Sequence, residues 1–148
     1  MTKSKYILLL LCMLALAEVR CQSPNAVKQV EYTTLTRGYQ KHIIISPDSL
    51  TITVEGREEN KSTARALSKD EWRRLMDCLK KVKLSEIPEL KSPTMKRTYD
   101  GARHSTLTLI TNETTSVTHS FDNEDANEKL LPLMKAILKI EGLPDAEK

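Results

Sequence analysis

SKDEWRRLMDCLKKVK, residues 68–83, decides the fold. Ser68 followed three positions later by Glu71 is a capping box, in which the Ser68 hydroxyl accepts from the Glu71 amide and the Glu71 carboxylate accepts from the Ser68 amide. Leu67 and Trp72 stand at the two staple positions. From there Trp72, Leu75, Met76, Leu79 and Val82 recur at spacings of three and four, which predicts one apolar stripe on a helix over 68–83. The opposite face is charged. Asp70 with Arg74 and Asp77 with Lys81 are spaced to pair across one turn, and Lys80, Lys81 and Lys83 fall where the helix dipole favours cations. Such a helix needs a sheet or a second helix to cover its stripe.

The segments before it supply the sheet. Residues 27–36 are rich in Val, Tyr and Thr, and residues 39–46 carry His42-Ile43-Ile44-Ile45, both favouring extended backbone. Arg37-Gly38 separates them, and Gly38 offers the positive φ of a tight hairpin. Ser46-Pro47-Asp48-Ser49 reads as a turn. Leu50, Ile52 and Val54 then alternate with Thr51, Thr53 and Glu55 to give a third strand over 50–55. Residues 58–61 read as a polar loop, and 63–67 as a short fourth strand entering the helix.

Beyond the helix, Leu84, Ile87 and Leu90 continue the apolar anchoring, while Pro88 and Pro93 forbid more than one helical turn. Residues 91–101 form the longest stretch without a pattern, the kind of ordered loop in which function gathers. A second hairpin pairs 102–111 with 115–121. A two-residue Asn112-Glu113 turn would put Glu where φ must be positive, so a three-residue loop setting Leu107 and Leu109 opposite His119 and Val117 is preferred. A last amphipathic helix spans 127–140, with Pro132 in its first turns and Gly142 as its stop. The order of strands, helix, hairpin and helix defines an α+β fold, a mostly antiparallel sheet covered on one face by both helices.

The first twenty-one residues stand apart. Lys3 and Lys5 precede an apolar run from Tyr6 to Ala17, which reads as a secretory signal peptide cleaved after Ala17 or after Cys21. The run is too short to span a bilayer, so no transmembrane helix is expected once the signal is removed. Cys21 as an acylated lipoprotein residue is disfavoured by Arg20, which occupies the place of a small side chain. The expected product is residues 22–148, a single globular domain, periplasmic or secreted. Removing residues 1–21 takes away Lys3, Lys5, Arg20 and Glu18, three cations and one anion, and lowers the net charge from +3 to +1. With so little net charge, nucleic acid is not an expected partner.

Chemistry-bearing constellations are few. His42, His104 and His119 are the three histidines, none spaced as metal ligands, and the preferred hairpin register puts His104 and His119 on opposite faces. Neither a phosphate-cradling glycine loop nor a nucleophile-elbow motif is present, and no metal or cofactor is expected. Cys78 lies past mid-helix, where the dipole does not favour a thiolate; it reads as a small half-buried side chain, with a disulfide to Cys21 as the alternative. Asp122, Glu124 and Asp125 lack a calcium-loop pattern and read as a solvated turn before the last helix. Asn60-Lys61-Ser62 and Asn112-Glu113-Thr114 fit the glycosylation acceptor pattern in a eukaryotic host.

Residues 31–39 (EYTTLTRGY), 67–72 (LSKDEW), 93–102 (PTMKRTYDGA) and 120–122 (SFD) together resemble a group of small exported proteins of Gram-negative bacteria, many of them lipoprotein-like. That resemblance implies export and no particular activity. The order of hairpin, L-S-x-x-E helix, hairpin and closing helix is more distantly similar to emfourin-type inhibitors of thermolysin-like metallopeptidases, and no inhibitory residue is carried over.

The expected function is a non-enzymatic exported domain that binds a protein or cell-envelope component. Its expected contact surface is the tip Arg37, Gly38, Tyr39 with Lys96, Arg97, Tyr99 and Asp100 of the long loop, since Arg and Tyr are favoured at interface hot spots. One alternative is inhibition of a secreted or periplasmic peptidase through the tip at Thr36-Arg37-Gly38. A lesser one is a hydrolase using the 91–101 loop, which requires a cleft beneath it and a second convergent group.

Overall fold

The computed structural model describes residues 26–57, 60–112 and 116–142. The signal segment, Cys21 and hence the Cys21–Cys78 pairing lie outside the described residues. Six strands, β1 (Val27–Thr36), β2 (Tyr39–Ile45), β3 (Ser49–Gly56), β4 (Asn60–Ala66), β5 (His104–Thr111) and β6 (Ser116–Asp122), form one sheet in the order β4-β3-β2-β1-β5-β6. Every neighbouring pair is antiparallel. Two helices, α1 (Lys69–Leu79) and α2 (Leu131–Glu141), complete the α+β fold.

Register follows from the alternation of apolar side chains, since a slip of one residue would turn the whole apolar set outward. Tyr32 faces Ile43 and Leu107, Ile43 faces Ile52, and Leu107 faces His119 as the three-residue hairpin loop requires. These residues share one sheet face, and their core continues through Leu75 and Leu79 of α1 and Leu133, Met134 and Ile137 of α2. The opposite face carries Thr33, His42, Thr53, Ser62, Thr106 and Ser120, which are paired in one row across the strands. His104 is exposed and His119 buried, on opposite faces as the register demands.

Three boundaries differ from the sequence expectation. The capping box forms, with Glu71 N–H to Ser68 Oγ at 3.2 Å and Ser68 N–H to Glu71 Oε2 at 2.8 Å, but α1 ends at Leu79. Lys80, Lys81 and Lys83 therefore lie past its last turn. Beyond them Leu84–Glu89 tightens into a 3₁₀ turn that carries Ile87 into the core. The ion pairs on the exposed face of α1 are Asp70–Arg73 and Asp77–Lys80, one residue shorter in spacing than expected.

Strand β4 begins at Asn60, so Asn60 and Lys61 belong to a strand and not to a loop. All seven of its residues are exposed, and without apolar alternation its pairing comes from the β3 ladder alone. Helix α2 starts at Leu131, not Asn127, because Asn127 folds the chain into a turn. Its carbonyl accepts from Leu130 and Leu131 N–H, and its side-chain oxygen accepts from Lys129 N–H at 3.1 Å. Pro132 then takes a first-turn position, where a missing N–H is harmless. Gly142, at φ +90°, closes the helix as expected.

Two cations tie the layers together. Lys41, on the inner face of β2, places Nζ 2.8 and 3.0 Å from the two carboxylate oxygens of Glu141 at the end of α2. Arg65 of β4 donates to Glu71 Oε1 at 2.7 Å and to the Ile140 carbonyl at 3.0 Å, joining the edge strand to the start of α1 and the end of α2.

Candidate functional site

The β1–β2 tip is a two-residue turn in which Gly38 adopts φ +73°. A side chain there would be strained and would also meet Arg57 Nε at 2.8 Å. Arg57 N–H donates to the Gly38 carbonyl at 3.3 Å, so the end of β3 braces the tip. From the other side Arg37 reaches across: its Nη2 donates to Asp100 Oδ2 at 2.6 Å. Both side chains are largely exposed, so this pair contributes position more than stability.

The 91–101 segment is held by one carboxylate. Asp122, at the end of β6, is 1% exposed at its side chain. It accepts from the Thr94 hydroxyl, from Lys96 N–H at 2.6 Å, from Arg97 N–H at 3.2 Å and from Arg97 Nη1 at 2.8 Å. Burial alone would raise the Asp122 carboxyl, and these donors more than reverse that, holding it well below the usual carboxylate range. The reading of Asp122 as part of a solvated turn is therefore corrected. By strand alternation it faces away from the core, and the segment folding over it makes it internal. Lys96–Tyr99 forms a 3₁₀ turn, and Asp100 follows at φ +60°.

The residues expected at the contact surface separate into two groups. Arg37, Tyr99 and Asp100 are exposed, Lys96 is exposed at its side chain, and Tyr39 is half-buried beside the tip. Arg97 is not part of that exposed set. Its guanidinium is turned inward on Asp122, Ser92 Oγ and the Thr94 carbonyl. Beneath this end lies a buried hydroxyl chain: Ser105 Oγ donates to Thr34 Oγ1 at 2.8 Å, and the Tyr32 hydroxyl, its pKa raised by burial, donates to the Asn123 carbonyl at 3.2 Å.

Two hollows flank the surface. One, of about 460 Å³, is bounded by the tip and the ends of β2 and β3, including Tyr39, Gln40, Glu55 and Arg57. The other, of about 490 Å³, lies between β6 and residues 88–97 and includes Ser92, Arg97, His119 and Ser120. His119 stacks on Phe121 at 5.6 Å between centroids, and its pKa is lowered by burial and by Arg97, so it is neutral at pH 7. Ser92 Oγ donates to the Thr94 carbonyl and accepts from Arg97. Among the described residues no serine is hydrogen-bonded to a histidine, and no group of three or more His, Cys, Asp or Glu side chains is placed to hold a metal ion.

Cys78 sits between α1 and α2, its Sγ donating to the Arg74 carbonyl at 3.2 Å. Burial and then Asp77 raise its pKa, opposite to what a nucleophile needs. Among the described residues no helix is long and apolar enough to cross a membrane. No family model matches the chain, and neither does any curated protein or solved structure with which it was compared.

Proposed function

We propose that the protein is a non-enzymatic binding domain of an exported type, and that it engages a protein or cell-envelope component through the end of the sheet where Arg37 meets Asp100. One observation carries this reading. The exposed large hydrophobics among the described residues are Leu35, Met95 and Tyr99, at 43, 54 and 70%, and all three lie on the two segments which that ion pair joins. Exposed apolar side chains interspersed with charge are material for a protein interface, and Tyr and Arg are its usual anchors.

The test is affinity capture from an envelope extract of the source cell, comparing the wild type with Arg37→Ala/Tyr99→Ala. A partner retained by the wild type and by Lys61→Ala, but lost from the double variant, supports the surface. Recovery of the same partner with the double variant counts against it.

Peptidase inhibition is a second reading, favoured by the bracing of the tip. A loop held from one side by Arg57 N–H and from the other by Asp100 loses little entropy on entering a cleft. Titration against a thermolysin-like and a serine peptidase tests it, with stoichiometric loss of activity expected. Undiminished peptidase activity would remove it. The hydrolase reading has its cleft at His119, but Ser92 and Ser120 there have no hydrogen bond to a base among the described residues, and we place binding ahead of it.

A further inference from the structure

We propose that the hollow between β6 and residues 88–97 is a binding site for a carboxylate carried on a short apolar group. Its volume, about 490 Å³, falls within the range of small-ligand sites. The lining divides by chemistry. Pro88, Leu90 and Met95 supply an apolar wall, Ser92, Thr118 and Ser120 supply hydroxyls, Lys91, Arg97 and His119 supply nitrogens, and among the described residues no carboxylate lines the space.

The donors are in surplus. Arg97 Nη1 is fully engaged, but among the described residues Nη2 has only the Met95 sulfur, at 3.2 Å, and a thioether is a weak acceptor. His119 is 3% exposed, and its Nε2 has no hydrogen-bond partner among the described residues. An orphaned ring nitrogen in the interior costs the fold its full desolvation, so in the tautomer that carries its proton on Nε2 an oxygen that accepts from it would be favoured on binding. Lys91 is exposed and makes no ion pair among the described residues.

Charge selects the ligand. Asp122 neutralises Arg97, and the neutral imidazole adds none, which among the described residues leaves Lys91 as the uncompensated charge at the hollow. One positive charge suits a singly charged anion, whereas a phosphate dianion would enter undercompensated. The apolar wall then selects a carboxylate with a hydrocarbon body over a bare inorganic ion. Such a carboxylate comes either from a small free acid or from the terminus of a peptide, and both present the same two oxygens to the three donors.

The experiment titrates the ¹⁵N-labelled protein with sodium acetate, butyrate and hexanoate, with the corresponding amides, and with a leucine-ending tripeptide as acid and as amide, while reading the His119 ring nitrogens. Saturable shifts from the acids, tightening with chain length and absent with the amides, are expected. Response to the tripeptide acid alone assigns the site to peptide termini, and response to the short acids assigns it to free acids. Lys91→Gln, a surface change, should weaken binding by about two- to five-fold. Arg37→Ala/Tyr99→Ala should leave acid binding unchanged, which separates this site from the proposed protein-binding surface. Non-saturating shifts, equal response to the amides, or full affinity in Lys91→Gln would overturn the assignment.

Discussion

Replacing Lys41 by Met tests an ion pair that the fold encloses between the sheet and α2. The Lys41 and Glu141 side chains are 9 and 10% exposed, and Nζ contacts both carboxylate oxygens. Removing the cation leaves the Glu141 carboxyl without its partner in a poorly solvated place at the C-terminal end of α2, where the helix dipole also disfavours an anion. Breaking one side of such a buried pair costs about 3–5 kcal/mol. Against a total stability of roughly 5–15 kcal/mol, that is a large fraction, and for a domain of this size it lowers Tm on the order of 10–20 °C. Replacing both partners, as Lys41→Met/Glu141→Leu, removes the desolvation as well as the attraction. The double variant should therefore recover to within about 1–2 kcal/mol of the wild type. Urea unfolding reads the cycle directly, because Trp72 is the one tryptophan and is packed against the core. A Lys41→Met loss below about 1 kcal/mol, or a double variant as unstable as the sum of the singles, would refute the account.

Ser68→Ala removes the α1 cap and should cost about 1 kcal/mol in urea unfolding; no loss would mean that tertiary packing alone fixes that helix end. Arg65, and after it the Ser68 amide, hold the Glu71 carboxyl at about 2 instead of 4.5. A depressed carboxylate stabilises the fold above its unfolded pKa, so this contribution is present above pH 4.5 and is lost as pH falls toward 2. In Arg65→Gln the urea midpoint should fall less steeply across that window, and an unchanged slope would sink the assignment. Asp122→Ala should speed amide exchange at Lys96 and Arg97, which donate to that carboxylate, and leave the β1 amides untouched; equal protection in both proteins would contradict it. Cys78 should react more slowly with a disulfide reagent at neutral pH than the same thiol in urea, and equal rates would show that the fold does not shield it.

The parts of the fold that repeat were legible in the sequence. The alternation in 27–36 and 39–46 and the stripe beginning at Trp72 place each element, and strand parity puts Leu107 against His119. What was not legible depends on segments distant in the chain. Lys41 stands on the inner face of β2, where periodicity asks for an apolar residue, and only Glu141, a hundred positions later, explains it. Arg65 looks like an ordinary edge-strand cation until the Ile140 carbonyl is brought beside it. Arg97 has the composition of an interface residue, but whether it faces out or in depends on where Asp122 lies, and no spacing encodes that. His119 could be assigned to the buried face by parity, while its orphaned nitrogen depends on the segment packed alongside.

Arg37 and Asp100, two exposed members of the proposed surface, are sixty-three positions apart, and local sequence does not bring them together. Their meeting follows from β1 pairing with β5, which sets Leu35 beside His104 and carries the chain end of the 91–101 segment to the tip. The position of Asp100 is then set by Asp122, which clamps Lys96 and Arg97 just before it. Because that clamp is buried and the Arg37–Asp100 pair is exposed, the two should respond differently to salt. Salt screens the exposed pair, and the internal hydrogen bonds persist. The surface can thus adjust at its rim without its base moving, which is the arrangement expected of a loop that must meet a partner and keep its register on the sheet.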